Sequence, residues 1–152
     1  MKLIIDGYVY WVRPEQSLLD IIKEFGLLTG KLSTDPIAAK IAGEVFTLNY
    51  IPMRMEDAAH ERESIRKAMA ASGGKVSLLR YSDPSGKDTY RRTAQFVLFL
   101  AIRKLLPHAV AKMNSTVGGG VYVKVTGAED FSAERLKGCV SDLIKEDIPF
   151  VR

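Results

Sequence analysis

Asp6-Gly7 stands between two short runs rich in β-branched and aromatic residues, 2–5 and 8–13, and leaves the start of the chain little choice. Both central positions of a two-residue type I′ turn need positive φ. Glycine takes such angles freely and aspartate tolerates them, so the pair predicts a tight β-hairpin. Pro14, which has no N–H to give a sheet, ends the second strand. Ser17 then offers a hydroxyl to the orphan N–H groups of a helix start, and Asp20 sits where a capping-box acid sits. Leu18, Leu19, Ile21, Ile22 and Phe25 follow at helical spacing. Gly26 is placed to close that helix in the left-handed conformation.

Pro36 introduces a strand at 37–42, and Gly43-Glu44 is expected to turn into a short strand at 45–48. Hairpin, helix and two short strands make the opening of a β-grasp, one helix packed across a small mixed sheet. Residues 55–71 are polar with interspersed Ala and Met, lack Gly and Pro, and read as an exposed helix. Ser72-Gly73-Gly74 ends it, and Lys75–Tyr81 supplies a strand to complete the sheet. Asp83-Pro84-Ser85-Gly86 is dense in turn formers and marks the domain boundary.

The second half opens with a helix over about 88–106. Ala94, Val97, Leu98, Ala101, Ile102 and Leu105 recur at three- and four-residue spacing as a core-facing stripe, and Pro107 stops it. Apolar strands at 109–117 and 121–126 are joined by Gly118-Gly119-Gly120, and Ser132 caps a last helix at about 133–145. Asp147–Phe150 leaves that helix, and the chain reads as continuing beyond Arg152. The expected fold is therefore α+β in two small lobes, a β-grasp followed by a helix laid on a short antiparallel sheet.

Apolar residues make up 47% of the chain and charged residues 26%, the balance of a globular protein with a packed core. No run approaches the ~18 apolar residues of a membrane span. The first seven residues reach an acidic turn too soon for a secretory signal. The one cysteine, Cys139, has no internal partner, which suits a reducing compartment. A cytoplasmic protein is expected. The net charge of +4 is uneven: residues 1–53 carry −1, residues 54–104 carry +5 and residues 105–152 are neutral. The middle third is thus a candidate phosphate-facing patch or a solvated helix face.

Three stretches carry a resemblance. Through Leu3-Ile4-Ile5-Asp6-Gly7, Ser17-Leu18-Leu19-Asp20-Ile21-Ile22 and Ala38–Gly43, residues 1–82 resemble a TGS domain, the β-grasp module at the N-terminus of threonyl-tRNA synthetases. Residues 86–126 are similar to the start of the editing-type domain of those enzymes. The matching segments are Tyr90-Arg91-Arg92-Thr93-Ala94, Ala101–His108 and Gly120-Val121-Tyr122-Val123. The tail Leu143–Phe150 is similar to a segment of bacterial uridine-kinase-like proteins, which carry both modules ahead of a P-loop kinase. The resemblance implies a TGS-like domain over 1–82, with a helical insertion at about 55–72, and a reduced editing-like domain over 86–152.

The same resemblance implies what is missing. The editing domain's His-x-x-x-His pair falls on Phe96 and Leu100, which can neither ligate a metal nor carry a proton. No Gly-x-x-x-x-Gly-Lys-Ser/Thr loop occurs. ATP and Mg would then belong to a P-loop kinase domain beyond Arg152, a partner in cis. The function so implied is a non-catalytic regulatory or ligand-recognition region of a uridine-kinase-like protein, binding nucleotide, nucleoside or RNA. Its rivals are a free-standing RNA-binding or translation-linked TGS protein and a residual aminoacyl-tRNA hydrolase.

Few residues offer chemistry of their own. Gly118-Gly119-Gly120 precedes a strand rather than a helix N-terminus, so it reads as a hairpin turn and not a phosphate cradle. His60 and His108 lack further ligands at metal-site spacing, and no metal site or catalytic residue is expected. Cys139 reads as a small buried apolar residue. Tyr90, Arg91, Arg92, Lys112, Tyr122 and Lys124 are the candidate ligand residues, as the lining of a groove between helix and hairpin. Tyr122 and Lys124 share one strand face, opposite Val121, Val123 and Val125. Aromatic rings beside cations suit stacked bases and phosphates.

Overall fold

In a computed structural model of the chain, residues 1–49, 67, 70–117, 120–128 and 131–147 are described. The chain divides into two compact units, Met1–Tyr90 and Arg91–Arg152. The first holds strands β1 (Lys2–Ile5) and β2 (Tyr8–Trp11), helix α1 (Leu18–Glu24), and strands β3 (Ala38–Ile41), β4 (Glu44–Phe46) and β5 (Lys75–Leu79). Helix α2 (Pro84–Leu105) runs across the division. Strands β6 (Val110–Val117) and β7 (Gly120–Thr126) and helix α3 (Ala133–Glu146) complete the second unit.

The strands of the first unit form one mixed sheet in the order β2-β1-β5-β3-β4. The last strand in sequence is therefore the middle one in space, parallel to β1 and antiparallel to β3. The hairpin forms as expected: Asp6 and Gly7 both take positive φ, 49° and 89°. Asp6 does more than turn. Its Oδ1 accepts from the Leu78 N–H at 2.9 Å and its Oδ2 from Arg80 Nη1 at 3.0 Å, which ties the turn to β5.

Helix α1 also follows its sequence signals. The Ser17 hydroxyl accepts from the Asp20 N–H and the Asp20 carboxylate accepts from the Ser17 N–H, a complete capping box. Gly26, at φ 65°, allows the Leu27 N–H to reach the Ile22 carbonyl and its own N–H to reach that of Lys23. This is the Schellman closure that a left-handed residue makes possible. The helix lays Leu18, Ile21 and Ile22 on the sheet, where they meet Leu3, Ile5, Ala39, Ile41, Val76 and Leu78 in one buried cluster.

Several boundaries differ from the sequence expectation: β2 stops at Trp11 rather than 13, and β5 at Leu79 rather than Tyr81. The β3–β4 turn is Ala42-Gly43, at φ 52° and 94°, rather than Gly43-Glu44, and β4 is Glu44–Phe46. Pairing of Ile41 with Glu44 leaves only two residues for the loop, so Ala42 is forced into the left-handed region. Leu48 is not a strand residue; its carbonyl accepts from the Leu19 N–H in the first turn of α1. Residues 84–86, expected as a turn, are the first turn of α2. Proline is welcome at a first helical position, and the Asp83 carbonyl accepts from the Lys87 N–H at 2.8 Å. Gly86 is buried there, and a Cβ at this position would run into the Arg80 carbonyl, so only glycine fits. Of the expected helix at 55–71, Lys67, Ala70 and Ala71 are helical and the rest lies outside the described residues, as does His60.

In the second unit, only Ala101 and Ile102 of the α2 stripe are fully buried; Ala94 is exposed. Ser132 caps α3 by accepting from the Arg135 N–H. The thiol of Cys139 lies 3.9 Å from the Ala101 carbonyl, and Lys104 Nζ lies 3.5 Å from Glu146 Oε1, so α3 runs beside α2. Cys139 is half-buried, less than expected, because no residue of α3 is fully enclosed.

Candidate nucleic-acid interface

β6 and β7 pair antiparallel, with Val110 opposite Thr126 and Lys112 opposite Lys124. The register slips between Met113 and Ser115, and Ser115 is then the register partner of Tyr122. Along β7 exposure alternates strictly. Tyr122, Lys124 and Thr126 face out, while Val121, Val123 and Val125 are half-buried. Residues directly opposite across a sheet point to the same side. Lys112, Lys124 and Tyr122 therefore stand together on one exposed face.

That arrangement has an electrostatic cost. Like charges directly opposite one another on a strand pair repel. An anion lying between the two ammonium groups would reverse the sign of that term, and the exposed ring of Tyr122 beside them offers a stacking surface.

The remaining expected residues do not join this face through any described contact. Tyr90 is engaged with Tyr81, ring centroids 5.3 Å apart in an edge-on arrangement within the first unit. Arg91 and Arg92 are neighbours on α2, about 100° apart around the helix. Arg91 is half-buried and Arg92 exposed.

Phe96 and Leu100 lie four residues apart on one face of α2, 53% and 42% exposed. His108 is exposed just past the end of α2. Gly118 and Gly119 lie outside the described residues, and Gly120 is the first residue of β7. Among the described residues, no three His, Cys, Asp or Glu side chains gather as a metal site requires. A shallow cleft of about 220 Å³ lies between the end of α2 and the start of α3, lined by Leu105, Leu106, Phe131, Ser132, Arg135 and Leu136. Leu105 and Ser132 stood out in the sequence only as a core-stripe residue and a helix cap, and none of the lining residues carried a functional signal.

A second cationic surface escaped the sequence reading altogether. On the side of the first sheet away from α1, the register sets Lys2 opposite Trp11, Ile4 opposite both Val9 and Lys75, and Lys40 opposite both Ser77 and Val45. Three strands each contribute one lysine to a single face. No local motif encodes this, because the three are brought together by strand order alone.

No family model matches the chain. The chain is similar to threonine–tRNA ligases, which are the threonyl-tRNA synthetases. It is 29% identical over 150 residues to the enzyme of Desulforamulus reducens, covering 97% of this chain and 20% of that protein. It is 28% identical over 137 residues to the enzyme of Clostridium kluyveri, covering 88% of this chain and 19% of that one. The ligase of Natranaerobius thermophilus matches at 23% over 150 residues, again 97% of this chain. The chain thus spans about a fifth of the length of these relatives. Among the described residues, no helix is long and apolar enough to cross a membrane.

Proposed function

We propose that this chain is an RNA-binding, translation-linked module related to the N-terminal region of threonyl-tRNA synthetases. The observation that carries the reading is the pairing of Lys112 with Lys124 on the exposed hairpin face that also bears Tyr122. Two opposed cations beside a ring are unfavourable alone and favourable around a phosphate with a neighbouring base. Similarity along nearly the whole chain to a tRNA ligase supports RNA over a free nucleoside as the ligand. Arg91 and Arg92 belong to the same proposal as secondary phosphate contacts, and Tyr90 as a ring held beside them by Tyr81.

The finer assignments go with it. The strand order β2-β1-β5-β3-β4 with α1 packed on the sheet supports the reading of residues 1–82 as a TGS-type β-grasp. Residues 86–152 are read as a reduced editing-like domain, non-catalytic because Phe96 and Leu100 occupy the positions of the histidine pair. The alternative parent, a uridine-kinase-like protein with a P-loop domain in cis using ATP and Mg, shares the TGS-like and editing-like regions and is set apart from a synthetase by residues 143–150. The synthetase similarity spans 150 residues, and the RNA-binding reading is preferred for that reason.

The test is binding of a threonine tRNA acceptor-stem fragment across a salt series. Replacing Lys112 and Lys124 with Ala should weaken binding and lower the slope of log K against log salt by about 1 to 2. Replacing Arg91 and Arg92 should lower it further. A slope unchanged in the lysine variant would remove the hairpin from the interface.

A further inference from the structure

We propose that the open face of the five-stranded sheet is a separate platform for an unpaired stretch of RNA, with Trp11 stacking on a base and Lys2, Lys40 and Lys75 meeting the phosphates. It shares the RNA-binding reading with the hairpin but none of its residues, and it requires only the first unit.

The face is defined by register. Leu3, Ile5, Ala39, Ile41, Val76 and Leu78 point to α1 and are buried. Their strand neighbours must point the other way. These are Lys2 and Ile4 on β1, Val9 and Trp11 on β2, Lys75, Ser77 and Leu79 on β5, Ala38 and Lys40 on β3, and Val45 on β4. At one end Ala38 and Leu79 are buried. At the other the face is open: Lys2, Lys75, Ser77 and Lys40 are exposed, and Trp11 is 75% exposed.

Charge selects the occupant. Three ammonium groups come from three adjacent strands, and no carboxylate of a described strand residue lies on this side. Glu44, the one acidic residue in these five strands, pairs with Ile41 and so belongs to the α1 side. Lys40 and Lys75 are diagonal neighbours across β3 and β5, a Cβ separation of about 7–8 Å. Trp11 lies directly opposite Lys2. A flat row of cations with a large exposed ring at its edge is how sequence-tolerant single-strand binders hold backbone and base together. A paired helix would keep its bases out of reach of such a ring, so the fitting strand is an unpaired one.

Trp11 is the single tryptophan of the chain, so its fluorescence reports this face and no other. Titrating the full chain with an oligouridylate of about ten nucleotides should quench that emission. Replacing Lys2, Lys40 and Lys75 with Ala should abolish most of the quench and reduce the salt slope by about 2, at 0.7 per cation on a single strand. W11A should weaken binding of a labelled oligouridylate about tenfold by anisotropy, and W11F should restore most of it. Circular dichroism should show native structure in each variant, since the side chains are exposed.

The outcomes separate the two sites. Oligouridylate binding with no change in Trp11 emission, lost in the Lys112/Lys124 variant, would overturn the sheet platform and leave the hairpin standing. Quenching lost with Lys2, Lys40 and Lys75 but kept in the Lys112/Lys124 variant would establish the platform and leave the hairpin to the acceptor-stem titration. No binding to either probe would end both. Equal quenching by a polyglutamate peptide would overturn the assignment to RNA.

Discussion

Single residues hold two of the joints in this fold. Gly86 sits in the first turn of α2 with the Arg80 carbonyl where a side chain would begin. G86A should destabilise the chain by about 3 kcal/mol, the scale of a forced overpacking that rigid backbone cannot relieve, read as a lower urea midpoint with unchanged slope. At the start of α1, S17A removes the acceptor for the Asp20 N–H and should cost about 1 kcal/mol. The Asp20 carboxyl is held below its ordinary pKa by bonds from the Ser17 hydroxyl and then the Ser17 N–H. Asp35 is likewise held down by the Thr29 N–H, the Thr29 hydroxyl and the Gly30 N–H. A carboxyl depressed in the folded state stabilises at pH above its ordinary value and stops doing so as pH falls through the depressed one. Thermal midpoints should therefore fall on acidification below about pH 4. A D20N/D35N variant should start lower at pH 7 and show a flatter decline below pH 4.

At the scale of elements, the local signals translate directly into α1 and the first hairpin, and less directly elsewhere. Ser17, Asp20 and Gly26 each act within one helical turn of themselves, so their meaning does not depend on what packs above them. The Pro84-Ser85-Gly86 stretch is ambiguous in sequence, because the same residues make a turn or a helix N-terminus. The tight approach to Arg80 decides it. The central place of β5 has no local signature either, although Val76 and Leu78 carry an alternating pattern. Its burial makes α1 and β5 interdependent. Ile21→Ala, in the buried cluster to which both α1 and β5 contribute, should cost about 2–5 kcal/mol in chemical unfolding.

Across the whole molecule, burial is uneven. Among the described residues, the fully buried apolar side chains fall in the first unit except for Ala101 and Ile102. Regions with few buried apolar contacts open at lower free energy. Hydrogen exchange should therefore find β1, β3 and β5 the last amides to exchange, and β6 and β7 among the first. Equal protection of both sheets would contradict the difference in packing. The RNA readings place cationic faces on both units. The hairpin face was half legible, since Tyr122 and Lys124 are two apart on one strand. That Lys112 stands opposite Lys124 required the register.

The sequence by itself determined the elements whose causes are local: the Asp6-Gly7 turn, the capped and closed α1, the Ser132 start of α3, and the alternation along β7. Backbone dihedral preferences and side-chain caps act over three or four residues, and a string of letters records them fully. Only the tertiary structure decided the strand order, the one-residue setting of the Ala42-Gly43 turn, the place of Gly86 against Arg80, and the gathering of Lys2, Lys40 and Lys75 beside Trp11. Each of these depends on which distant segment lies alongside, and that is settled by the burial of α1 and five strands together rather than by any segment alone.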